Sequence, residues 1–113
     1  MRAYETIFII APTASDEERT KLIEEQKSFI EREKGKIEKI DVWGMKKLAF
    51  PVKKFTEGFY VYFLYQGYSG IVERWEKKLK LTESIIRYLT VKVDLTKLLK
   101  EEKEIQPAAE ATP

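Results

Sequence analysis

The chain has 113 residues, enough for one domain with a modest core and too few for two. Its hydrophobic share of 43% and charged share of 35% exclude global disorder, and the lack of cysteine and histidine excludes thiolate and imidazole metal sites, a cysteine nucleophile and a Ser-His-Asp relay. A formal charge of +2 is low for a protein that holds nucleic acid by itself, so such binding would rely on local patches.

The opening MRAYETIFII is charged within its first five residues and has no small-residue cleavage pattern. It reads as neither signal peptide nor membrane span, which makes the cytoplasm the expected location. Heavy Lys and Glu usage without asparagine or cysteine leans toward a thermophilic source.

In chain order, residues 2–10 alternate Tyr4, Thr6, Phe8, Ile10 against Ala3, Glu5, Ile7, Ile9 and are closed by Pro12, as in a strand. Ser15 with Glu18 forms a capping-box signature, and Leu22, Ile23, Gln26, Phe29 and Ile30 recur at helical spacing until Gly35. Residues 37–42 and 47–52 are strand-like around Trp43-Gly44, a glycine position that suggests a bulge or close backbone approach. Residues 55–58 are expected to turn the chain into a strand over 59–65, with Lys53 and Lys54 at or near the hairpin tip. Ser69 can cap a second helix with Ile71, Val72, Trp75 and Leu79 on one face, and residues 85–93 return to strand character.

The order βαββαβ points to an α+β, ferredoxin-like layer: a four-stranded antiparallel sheet with two helices on one face. The other face should meet water and alternate to polar residues. FYVYFLY instead is apolar or aromatic on both parities, with Phe59, Val61, Phe63 and Tyr65 on one and Tyr60, Tyr62 and Leu64 on the other; Ile7 and Ile9 repeat the conflict. Tyrosines tolerate a wet surface, so the conflict alone leaves a solvated face open; a bound face explains it more fully. RNA bases could stack there, or a protein could bury it. EGFYVYFL has the Gly-aromatic start of the first ribonucleoprotein motif, but Glu57 replaces its basic residue, which favours a protein on this face.

MRAYE, DVWGMKKLAFPVKK followed by GFYVYF, and ESIIRYLTVK resemble the bacterial small-subunit ribosomal protein six family over residues 1 to about 93, with matching spacing. The chain departs from the family pattern at Met45, where a basic residue is usual, and at Thr82-Glu83, where an Asn-Asp-like pair is common. The resemblance implies a structural, non-catalytic protein of the small ribosomal subunit. It would bind the central domain of small-subunit rRNA as a heterodimer with ribosomal protein eighteen, with no cofactor, metal, membrane or small-molecule substrate. The ribosomal domain is expected over 1–93 and a flexible C-terminal tail over 94–113, in which Leu95, Leu98 and Leu99 could form a short docking segment.

Acidic residues concentrate in residues 16–33 and 101–110, and the stretch between them is basic. Lys46 and Lys47 have opposite strand parities, and both are candidate contacts to RNA phosphate or acidic partner groups. Lys53 and Lys54 suit contact or simple solvation equally, and Lys54 is assigned to RNA. Arg87 lies in an apolar strand where a charge needs a partner, and the resemblance places the family's basic strand residue there. Arg2 and Lys92 complete the expected RNA-binding set. Ile7, Ile9, Trp43, Tyr60, Tyr62 and Leu64 form the expected partner-protein interface, whereas Lys77, Lys78 and Lys80 read as a solvated helix face.

Two other uses of the topology fit less well. An acylphosphatase-like site needs a glycine-rich phosphate loop after the first strand, and the residues there are an acidic helix start. A homodimeric regulatory small-molecule-binding module tends to glycine-rich effector loops, and the chain has five glycines.

Overall fold

The computed structural model describes residues 2–94. The proposed docking leucines at 95, 98 and 99 lie outside the described residues, as does all but the first residue of the expected tail. The elements run β1 (Arg2–Ile10), α1 (Asp16–Arg32), β2 (Lys36–Val52), β3 (Phe55–Gly67), α2 (Ile71–Leu81) and β4 (Ile85–Val93). The strands form one antiparallel sheet in the order β2-β3-β1-β4, the ferredoxin-like arrangement.

Strand parity decides what is buried. Tyr4, Phe8 and Ile10 of β1 and Val61, Phe63 and Tyr65 of β3 point at the helices, where Ile30, Ile71, Trp75 and Leu79 close the core. Trp75 is its centre, with Phe8, Phe63 and Tyr65 all within 6.1 Å of it between ring centroids. Burying such rings contributes about 1.5–3 kcal/mol each. The indole Nε1 of Trp75 donates to Oε1 of buried Gln26 at 2.8 Å, which explains a polar residue at a helical core position.

Helix α1 begins with the expected capping box. Ser15 Oγ accepts from the Glu18 amide at 3.2 Å, and the Glu18 carboxylate reaches back to the Ser15 amide. It ends in a Schellman turn: Gly35 N–H donates to Ile30 C=O and Lys34 N–H to Glu31 C=O, with Lys34 at φ 63°. A Cβ on Gly35 would lie 2.8 Å from Ile30 and 2.9 Å from Ile71, so the close seating of this helix end requires glycine.

Two local expectations are corrected. Ser69 does not cap α2: the N-cap is Gly70, without a side-chain hydrogen bond. Residues 55–58 do not turn; they are the first residues of β3, and the chain reverses at Lys53-Lys54, where both φ angles are positive (49° and 71°) and Val52 pairs with Phe55. Glu57 and Gly58 are poor strand formers locally, but pairing with β2 overrides that preference. Trp43-Gly44, by contrast, forms the expected bulge within one strand. The register shifts between Val42 and Gly44, a bulge with Gly44 at φ 86° that lets one long strand continue.

Candidate RNA and partner interface

The sheet face away from the helices collects alternate residues of all four strands. On β1 these are Glu5, Ile7 and Ile9, which pair across to Leu64, Tyr62 and Tyr60 of β3 and to Val91, Leu89 and Arg87 of β4. The bulge at Val42–Gly44 brings Trp43 onto this face as well. Its indole stacks on the Tyr62 ring with centroids 5.5 Å apart and planes 14° from parallel, and its Nε1 donates to Asp41 Oδ2 at 3.2 Å. Lys46 Nζ lies 5.0 Å from the Trp43 ring centroid, a cation–π distance. On the other side the Tyr62 hydroxyl donates to Glu5 Oε2 at 2.5 Å, a short charge-assisted bond. Lys46, Trp43, Tyr62 and Glu5 thus form a continuous row across β2, β3 and β1.

This row borders a depression of about 290 Å³ whose apolar walls include Ile7, Leu89 and Val91 and whose polar groups include Glu5, Lys39 and Asp41. A second depression, about 210 Å³, lies between Ile7, Ile9, Leu48, Tyr60, Arg87 and Leu89. Beyond it the β2–β3 hairpin outruns β1, whose pairing with β3 stops at Ile10 and Phe59. The tip end of the hairpin folds back on the open face, because Leu48, Val52 and Phe55 pack with Ile9, Ala11, Ile86 and Tyr60.

The expected interface residues share this face but differ in exposure. Ile7 and Tyr60 are half-buried and Trp43 is 39% exposed, whereas Ile9 and Tyr62 are nearly covered and Leu64 is fully buried. The last three already pack inside the isolated chain and offer a partner little additional area. Sequence reasoning missed two apolar side chains of the face that are more exposed than Trp43, Leu89 (63%) and Val91 (46%). Their signal is the alternation Arg87, Leu89, Val91, which becomes meaningful once Arg87 is seen to pair with Ile9.

The six expected RNA-binding residues are all exposed and fall into two groups. Arg87, Lys46, Lys47 and Lys54 lie toward the hairpin end. Lys46 pairs with Gly58 on the open side, while Lys47 pairs with Glu57 on the opposite parity. Arg2 and Lys92 lie at the other end, with the parity of Tyr4, on the helix side. Tyr4 and Ile9, which mark the two ends on β1, are separated by about 17 Å of strand. Among the described residues none of the six forms an ion pair.

The model of the family described as Ribosomal protein S6 matches residues 3–92. The small ribosomal subunit protein bS6 of Thermotoga sp. is 41% identical over 112 residues, covering 97% of this chain and 88% of that protein. That of Desulfovibrio desulfuricans is 39% identical over 93 residues, covering 82% and 91%. That of Geotalea daltonii is 38% identical over 113 residues, covering 100% and 81%. The crystal structure of 30S ribosomal protein S6 from Thermotoga maritima superposes with a TM-score of 0.80 at 39% identity, covering 93% of this chain and 97% of that one.

Proposed function

The chain belongs to the ribosomal protein S6 family, a family of non-catalytic RNA-binding proteins of translation, and from that premise we propose that it binds the central domain of small-subunit rRNA jointly with ribosomal protein eighteen. In this reading it works in the small ribosomal subunit, in the cytoplasm. The open sheet face takes the protein partner and the basic side chains around it take RNA phosphates.

The observation that carries this division of labour is the charge of the open face. Glu5 of β1 and Asp41 of the edge strand β2, against the single cation Lys39, give the first depression a net negative lining beside exposed Trp43, Leu89 and Val91, an arrangement that disfavours phosphate and suits an apolar partner surface with basic groups of its own. The uncompensated cations lie at the two ends of the sheet. With a net charge of +2, one subunit neutralises few phosphates, and high RNA affinity needs the partner's added charge.

Filter binding of a central-domain transcript by each protein alone and by both together tests the reading. Weak binding by this chain alone and tight binding by the pair is the expected result. Tight, sequence-selective binding by the single chain would overturn the joint mechanism.

A further inference from the structure

Between the pairs Lys47–Glu57 and Val52–Phe55, β2 spends four residues, Leu48 to Pro51, where β3 spends only Thr56. The surplus leaves the ladder, as bulged residues do next to binding sites. Within it Leu48 turns inward onto the Ile9 cluster and Ala49 lines the second depression, whereas Phe50 is 65% exposed. Phe50 joins neither apolar cluster of the described residues and lines neither depression of the open face.

The surroundings of this ring are cationic. Lys46 and Lys47 precede it by four and three residues, and Lys53 and Lys54 follow it by three and four. Residues 46–57 hold four lysines against one glutamate, a net +3 that exceeds the charge of the whole chain. Arg87 stands across the depression from Ala49. An aromatic anchor for a protein sits in an apolar, desolvated patch. An exposed ring on a hairpin whose four lysines form no ion pair among the described residues matches a stacking platform in an electropositive groove, where the base meets the ring and the phosphates meet the lysines.

We propose that Phe50 is a base-stacking residue for an unpaired nucleotide of the bound RNA, with Lys46, Lys47, Lys53, Lys54 and Arg87 holding the flanking phosphates. The nucleotide is unpaired because a base inside a duplex has no free face to offer. The proposal rests on the RNA-binding function proposed for the chain and adds to it a specific interaction that is not electrostatic.

The test measures binding of a small-subunit rRNA central-domain transcript, with ribosomal protein eighteen present, by the parent chain, Phe50→Leu and Phe50→Tyr. Association with ribosomal protein eighteen without RNA is measured in parallel. Phe50→Leu keeps apolar bulk and removes the π-face, and should weaken RNA binding about tenfold or more. It should leave the salt dependence unchanged, since every cation that meets a phosphate is still in place. Phe50→Tyr should bind as the parent does, and neither variant should change association with the protein alone. Full RNA affinity in Phe50→Leu would overturn the stacking role while leaving the RNA-binding reading intact. Failure of this variant to associate with ribosomal protein eighteen in the absence of RNA would also overturn it and make Phe50 a protein anchor. No RNA binding by the parent pair would overturn both.

Discussion

The Trp43 indole lies flat on the Tyr62 ring, one an exposed residue of the edge strand β2 and the other a nearly buried residue of β3. The stack covers Tyr62, so Trp43 is the member that a partner can reach. Trp43→Ala should weaken association with the protein partner by about 2 kcal/mol or more, as loss of an interface tryptophan does. Its effect on folding should be limited to the aromatic pair, about 1 kcal/mol. Titration calorimetry and thermal melting of the same variant give both numbers. A melting loss several times larger, with partner affinity unchanged, would make the stack purely structural.

The two groups of cations make a second expectation. Lys46→Ala with Lys47→Ala and Arg87→Ala should lower assembly with RNA, as should Arg2→Ala with Lys92→Ala, each at a stability change within about 1 kcal/mol because all five side chains are exposed. Every phosphate that goes unneutralised in a variant should flatten the slope of log affinity against log salt by roughly 0.7–0.9. Since the groups lie at opposite ends of the sheet, their effects should add. Salt titrations of the two sets and of their combination decide this. A set that leaves the slope unchanged touches no phosphate.

Much of this arrangement is legible in the sequence because strand parity is a period of two and survives without knowledge of neighbours. The grouping of Phe63 with Tyr65 and of Tyr60 with Tyr62 needs only FYVYFLY, but both parities are apolar there, and it is packing in the fold that turns the first pair to the helices and the second to the open face. What pairing decides is less legible. Gly58 looks like a turn residue, yet it lies inside β3, and a Cβ there would come within 2.2 Å of Ile9 Cγ2, so its glycine serves a close approach between strands. Leu89 and Val91 look like ordinary strand formers until their register with Glu5 and Ile7 places them on the uncovered face. The displacement of Phe50 needs the count of residues on both arms of the hairpin, which one strand alone does not contain.

Buried hydroxyls give a pH prediction. Tyr65 is fully buried, and Thr6 Oγ1 lies 2.9 Å from its hydroxyl and 2.7 Å from Thr90 Oγ1. Desolvation pushes the Tyr65 phenol from 10 up to about 12, against the opposing pull of the hydrogen bonds with Thr6 and Thr90. The unfolded chain therefore releases this proton near pH 10 and the folded chain near pH 12, so its stabilising contribution is complete below 10 and is lost as pH rises to 12. The loss is on the order of 2 kcal/mol. Urea unfolding at about pH 9 and about pH 11.5 should show a steeper alkaline loss for the parent than for Tyr65→Phe. Equal losses would mean that Tyr65 does not control the alkaline limb.

The hairpin turn sets stability against binding. Lys53 and Lys54 have φ of 49° and 71°, both in the left-handed region, which is the signature of a type I′ turn. Such turns favour Asn-Gly, and a lysine there meets a steric penalty of roughly 1–2 kcal/mol per residue. Two lysines persist at these positions although both are exposed and neither forms an ion pair among the described residues. Under the proposed function, their charge at the tip of a basic hairpin is available to RNA phosphate, a gain in binding set against the cost to the backbone. Lys53→Asn with Lys54→Gly should thus raise stability by about 1 kcal/mol, relieving the turn while glycine's extra unfolded-state freedom takes back part of the gain. The same variant should bind the RNA transcript more weakly and with a shallower salt slope. Thermal melting and filter binding of this one variant test both halves. Unchanged RNA affinity in a stabilised variant would reduce the two lysines to solvated charges, and a destabilised variant would remove the strain argument.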